Sequence, residues 1–158
     1  MTLEEATRLL AALESEHVET VMIGAMAMAA QGLPRATHDL DLFVAPRREN
    51  IEALKRALRK CFDDPCVEEI DAGEMVGPYP ALEYTPPHGR YSLDLLTRLG
   101  EAFRWEDVLA ESDELEIAGT KFRVATPRLL YRMKRDTVRP QDRLDAERIR
   151  EAFALAEE

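Results

Sequence analysis

At 158 residues the chain is long enough for one domain with a real core, and 46% hydrophobic with 33% charged residues is an ordinary globular composition. A formal net charge of −10 argues against non-specific nucleic-acid binding over the whole surface, although acid is dense over 111–116 while 123–150 holds much of the Arg and Lys. No run approaches about 18 apolar residues and the N-terminus is acidic rather than a signal peptide, so a cytoplasmic protein with no membrane partner is expected.

Residues 2–16 read as an amphipathic helix: Thr2 and Glu5 make a capping box, and Ala6, Leu9, Leu10 and Leu13 recur at helical spacing. A short strand is expected over 19–23. A helix follows over 25–31, its Ala and Met side chains permitting close approach to a sheet, and Gly32-Leu33-Pro34 stops it. Residues 38–44 form a second strand, and 49–61 a helix with Ile51, Leu54, Leu58 and Cys61 on one face. The two cysteines, Cys61 and Cys66, lack the spacing and the neighbouring His of a zinc site.

From 63 to 89 the pattern weakens. Strands are expected over 67–70, with Cys66 at its start, and over 81–84, joined by a loop carrying Gly73, Gly77, Pro78 and Pro80. Residues 91–96 are a clearer strand, 103–111 a helix or turn, and 114–117 with 120–124 a hairpin around Ala118-Gly119. Thr126-Pro127 starts a helix to about residue 137, and Pro140 opens a last one that runs to the C-terminus with Leu144, Ile149, Phe153 and Ala156. Mixed strands and helices imply α/β or α+β, a small mixed sheet flanked by helices. Trp105 and the methionines Met22, Met26, Met28 and Met133 read as packing residues.

The chemistry concentrates in 21–44, VMIGAMAMAAQGLPRATHDLDLFV. Alternate strand side chains point to opposite faces, so Asp39 and Asp41 project together while Leu40 and Leu42 enter the core. Two carboxylates on an otherwise buried strand repel each other, and a divalent cation offsets that cost. Leu93-Asp94-Leu95 repeats the apolar-acid-apolar pattern and makes Asp94 the candidate third ligand, with Glu83 as the fallback. Three carboxylates converging from adjacent strands hold two magnesium ions ~4 Å apart. Gly24-Ala25 stands where a strand turns into a helix, and the free N–H groups there suit phosphates.

Gly24-Ala25 followed by Gly32-x-x-Arg35-x-Thr37-x-Asp39-x-Asp41 resembles the signature of the polymerase-β-like nucleotidyltransferase superfamily. Within it the chain is most similar to the AbiEii-type and other minimal nucleotidyltransferases of bacterial toxin–antitoxin systems. Asp94 matches their third metal-binding Asp. Pro127, Lys134, Arg139, Asp142 and Asp145 resemble their C-terminal element. The resemblance implies a nucleotidyltransferase fold, with a core over 1–125 and a C-terminal helical extension over 126–158 packed on it as one unit.

It also implies magnesium-dependent transfer of a nucleoside monophosphate from an NTP to a hydroxyl acceptor. Asp39, Asp41 and Asp94 would be the catalytic metal ligands. Gly24 and Ala25 would cradle phosphates. Arg35 either contacts phosphate or anchors its turn to an acidic neighbour, and Thr37 either binds or stabilises that turn. Lys134 and Arg139 either stabilise the triphosphate or join an ion-pair network with Asp142 and Asp145. The acceptor is RNA, a protein or a small molecule, with a cognate toxin or antitoxin as a further partner; the chain's acidity leans away from tRNA. Ala25 replaces the Ser or Gly of many active members. That departure supports a second reading, a weakly active or inactive module that works by binding a partner protein.

Overall fold

The computed structural model describes residues 1–156. Its strands are β1 (Thr20–Ile23), β2 (Asp39–Val44), β3 (Ala81–Tyr84), β4 (Ser92–Leu96), β5 (Ser112–Ile117) and β6 (Thr120–Ala125), in one mixed sheet ordered β3-β4-β2-β1-β6-β5. β1 runs antiparallel to β2, β2 parallel to β4, and β1 parallel to β6, with β3 and β5 at the edges. The helices are α1 (Leu3–Ser15), α2 (Gly24–Ala30), α3 (Arg48–Cys61), α4 (Ala72–Val76), α5 (Trp105–Ala110), α6 (Pro127–Arg135) and α7 (Pro140–Ala152). No helix among the described residues is long and apolar enough to cross a membrane.

Local signals account for most of these boundaries. Thr2 and Glu5 close the capping box of α1. Thr126 caps α6 by accepting from the Leu129 N–H, with Pro127 at the first turn. Ala118 and Gly119 both take positive φ (49° and 82°), the backbone that a two-residue hairpin between β5 and β6 requires. α1 and α3 pack together, and their Leu9, Leu13, Ile51, Leu54 and Leu58 share a core with Leu40 and Leu42 of β2. Trp105 is buried in that core. α6 and α7 pair as a helical hairpin, and α6 also touches α2.

Three expectations need correction. Residues 67–70 are not a strand: a 3-10 helix spans Pro65–Glu69, because Asp64 caps it through the Cys66 N–H and Pro65 takes its first turn. Cys66 therefore begins no strand and is exposed. The loop assigned to the seventies contains α4, capped by Asp71, which accepts from the Glu74 N–H at 2.9 Å. α7 ends at Ala152 with Phe153 as its cap, short of Ala156; Glu157 and Glu158 lie outside the described residues.

Candidate active site

β2 begins at a turn tied by Thr37, whose hydroxyl accepts from the Asp39 N–H at 3.2 Å. From there alternation sets the chemistry. Leu40 and Leu42 are buried, while Asp39 and Asp41 stand on the other face. In the parallel β2–β4 register Asp41 pairs with Asp94 and Asp39 with Ser92. Neighbouring strands lie about 4.8 Å apart, so Asp41 and Asp94 are side by side on one face. β3 adds Glu83, the antiparallel partner of Asp94. The Ser92 hydroxyl donates to Asp39 Oδ1 at 3.0 Å and so orients that carboxylate.

These acids are held close against their repulsion. Burial, then the charges of Asp94 and Asp39, push Asp41 up from 3.8 to about 6, and Lys134 and Arg35 only partly oppose the shift. Asp94 is also raised, by burial first and then by Asp39 and Glu83, against the pull of Arg139. All the donors are oxygens, which suits magnesium. Among the described residues no three acidic, His or Cys side chains already form a metal-sized cluster, and the Asp39 carboxylate is turned toward Ser92.

Gly24 explains how Asp41 fits. Its φ is +66°, and a Cβ there would stand 1.9 Å from Asp41 Oδ2. Only glycine gives both the left-handed backbone and the space for the carboxylate. Ala25, the next residue, is buried, so it offers a ligand its backbone rather than its side chain.

The cations arrive from α6, α7 and the loop before β2. Lys134, itself buried, donates to Asp142 Oδ1 at 2.7 Å and lies 3.0 Å from Asp145 Oδ2. Arg35 Nε donates to the same Asp145 oxygen at 3.0 Å, and Gln141 donates to the other at 3.0 Å. Burial favours a neutral Asp145, yet the Lys134 and Gln141 hydrogen bonds and the Lys134 and Arg35 charges bring it below the ordinary range. Arg35 thus anchors its loop to an acidic neighbour, and Lys134 belongs to an ion-pair network. Arg139 is exposed and lines the cavity.

That cavity, of about 520 Å³, opens between the carboxylate face and the α6–α7 hairpin. Asp41, Asp94 and Glu83 line it from the sheet, and Met133, Thr137, Arg139 and Asp142 from the hairpin. Sequence reasoning missed Ser92 and Thr137. Ser92 precedes Asp94 by two residues on a strand and so shares its face, a readable signal; Thr137 carried none.

A family model described as nucleotidyl transferase AbiEii toxin, type IV toxin–antitoxin system, matches residues 8–98, more than half of the chain. The chain belongs to the AbiEii nucleotidyl transferase toxin family. The match includes Gly24, Asp39, Asp41 and Asp94 and ends before α6 and α7. No curated protein sequence matches. Among solved structures, ANT(2″)-Ia in complex with adenylyl-2″-tobramycin aligns with TM-score 0.58 at 15% identity, over 97% of this chain and 89% of that one. TM1012 of Thermotoga maritima, assigned as a nucleotidyltransferase, aligns with TM-score 0.55 at 16% identity, over 96% and 88%. An antigenic nucleotidyltransferase-like protein of Paracoccidioides brasiliensis aligns with TM-score 0.56 at 18% identity, over 94% and 75%. These likenesses show that this AbiEii member has the nucleotidyltransferase fold.

Proposed function

We propose that this AbiEii-family protein transfers a nucleoside monophosphate from an NTP to a hydroxyl acceptor, releases pyrophosphate and requires magnesium. One observation carries the reading: Asp41 and Asp94 are register partners on parallel strands, with Asp39 on the same face, beneath a cavity that Arg139 lines from the opposite side. Asp39, Asp41 and Asp94 would hold two magnesium ions, which when bound supply charge neutralisation and a more acidic acceptor hydroxyl.

The chain's own groups do the remaining work. The backbone at Gly24 and Ala25 receives phosphate oxygens, and Arg35, Lys134 and Arg139 supply positive charge around the triphosphate. Thr37 fixes the turn that delivers Asp39. The acceptor oxygen forms a bond to the α-phosphorus while the bridging bond to the β-phosphate breaks, its electron pair leaving with pyrophosphate. A carboxylate oxygen of Asp94 takes the hydroxyl proton.

The family's place in type IV toxin–antitoxin systems supports a toxin role with a cognate antitoxin. The −10 charge and the fold shared with ANT(2″)-Ia, whose structure holds adenylyl-2″-tobramycin, favour a small-molecule or protein acceptor over RNA. The test is transfer from α-labelled NTPs to candidate acceptors with and without magnesium. Transfer that disappears in the Asp39→Asn, Asp41→Asn double variant supports the reading; a wild-type protein with no metal-dependent NTP binding sinks it.

A second reading, partner binding with little or no turnover, draws on the engagement of Arg35 and Lys134 with Asp142 and Asp145. Calorimetry separates the two: tight antitoxin binding without magnesium or NTP binding favours the second.

A further inference from the structure

Asp145 is the point at which the helical hairpin, outside the family match, reaches the loop that precedes the catalytic strand. Its side chain has no solvent exposure. One oxygen takes Arg35 Nε and Lys134 Nζ, each at 3.0 Å, and the other takes Gln141 Nε2 at 3.0 Å. Arg35 and Asp145 are 110 residues apart in the chain, so the contact is purely tertiary. α7 grips the same loop a second time, through Arg148, which donates to the Pro34 carbonyl at 3.4 Å.

A fully buried carboxylate is an expensive way to join two elements, since well-packed apolar side chains hold helices to loops at least as well. The hydrogen bonding shows what the charge accomplishes. Arg35 uses Nε for Asp145 and Nη1 for the Ala36 carbonyl, and Nη2 makes no hydrogen bond among the described residues. Lys134 donates to Asp142 and is ion-paired to Asp145 at 3.0 Å. Both cations are therefore fixed in direction while each keeps a donor, and Asp142, which holds Lys134, lines the same cavity as Asp41.

We infer that Asp145 is a positioning residue: resting on the nucleotidyl-transfer reading above, it aims Arg35 and Lys134 together at the triphosphate beside Asp41. It touches no reacting atom. Its effect runs through the two cations, and it makes the α6–α7 hairpin part of the site rather than an appendage to it.

The sign of one measurement decides. Inorganic tripolyphosphate with magnesium carries the anionic charge of an NTP without a base, so its affinity, read by calorimetry, is independent of nucleotide preference. Deleting a carboxylate near an anion tightens binding if Coulomb attraction is the whole effect. Loss of positioning weakens it. Asp145→Asn is expected to bind about tenfold more weakly, and to add no further loss in an Arg35→Gln, Lys134→Met background. Gln141→Ala removes only an exposed residue's hydrogen bond to the second oxygen and is expected to bind roughly two- to threefold more weakly, which serves if Asp145→Asn does not fold. Affinity equal to or tighter than wild type in Asp145→Asn, or in Gln141→Ala where Asp145→Asn is unfolded, overturns the role of Asp145 alone. A wild-type protein that binds no magnesium tripolyphosphate overturns the proposed site and this role with it.

Discussion

The β2–β4 carboxylate face and the α6–α7 hairpin border one cavity, yet they are built in opposite ways. Backbone geometry places the acids: alternation along β2 and the register with β4 put Asp39, Asp41 and Asp94 together whatever their charges prefer. Side-chain partners place the cations: Lys134 and Arg35 stand where Asp142 and Asp145 hold them. The titration shifts record the difference. Asp41 and Asp94 are pushed up and Asp145 is drawn down. The sheet therefore stores electrostatic cost at the site, while the hairpin supplies satisfied charge.

Asp41→Asn should break that contrast most sharply. Transfer is expected to fall on the order of a thousandfold or more, because the proposed mechanism loses a carboxylate that would hold magnesium next to the reacting phosphate. The apo protein should become more stable at pH 7. A carboxyl held at about 6 in the fold against 3.8 ordinarily prefers its protonated form, which makes its ionisation cost on the order of 2–3 kcal/mol at neutral pH. Asp41 and Asp94 should thus make wild-type stability in urea rise as pH falls from 7 toward 4, and Asp41→Asn should keep only the part that Asp94 contributes. Asp145 has the opposite sign: its lowered pKa contributes stability above the ordinary carboxylate range that is lost as pH falls below it. Denaturant titrations across pH 3 to 8 check both limbs.

Lys134→Met tests the hairpin in the same currency. It leaves Asp145 buried with Arg35 and Gln141 as partners and strips Asp142 of its cation, so a loss of roughly 3–5 kcal/mol is expected. A loss below about 1 kcal/mol would mean that the network is a solvated ornament. Gly24→Ala should come next. A left-handed backbone for a non-glycine residue costs roughly 1–2 kcal/mol, and the new methyl group must also displace the Asp41 carboxylate. Its activity should therefore fall further than its melting temperature suggests.

The same contrast explains what could be read in advance. Asp39 and Asp41 were legible because a period of two is a local rule, and Asp94 because it repeats the pattern on another strand. α1, the β5–β6 hairpin and α6 were legible through the capping box, Ala118-Gly119 and Thr126-Pro127. The 3-10 helix at Pro65–Glu69 carries the same device as α6, a capping residue and then proline, but the apolar ends of Val67-Glu-Glu-Ile70 invited a strand reading. α4 likewise has Asp71 three residues before Glu74. The roles of Arg35 and Lys134 stayed open for a different reason. No local spacing encodes the contact of Arg35 with Asp145 across 110 residues, and how α6 packs on α7 decides which acids Lys134 meets.

Arg139→Ala is expected to have the smallest effect on folding and to say most about how the two borders communicate. Arg139 caps α7 without a side-chain hydrogen bond and is exposed, so stability should change by less than about 0.5 kcal/mol. Its charge nevertheless restrains the upward shift of Asp94. Without it the Asp94 carboxyl of the metal-free protein should titrate at higher pH, read by carboxyl NMR, and transfer should fall about tenfold as the triphosphate loses a cation. Movement of that titration with an unchanged melting temperature would show a hairpin cation acting on a sheet carboxylate across the cavity. An unmoved titration at an unchanged rate would confine the hairpin's contribution to Lys134 and the residues around Asp145.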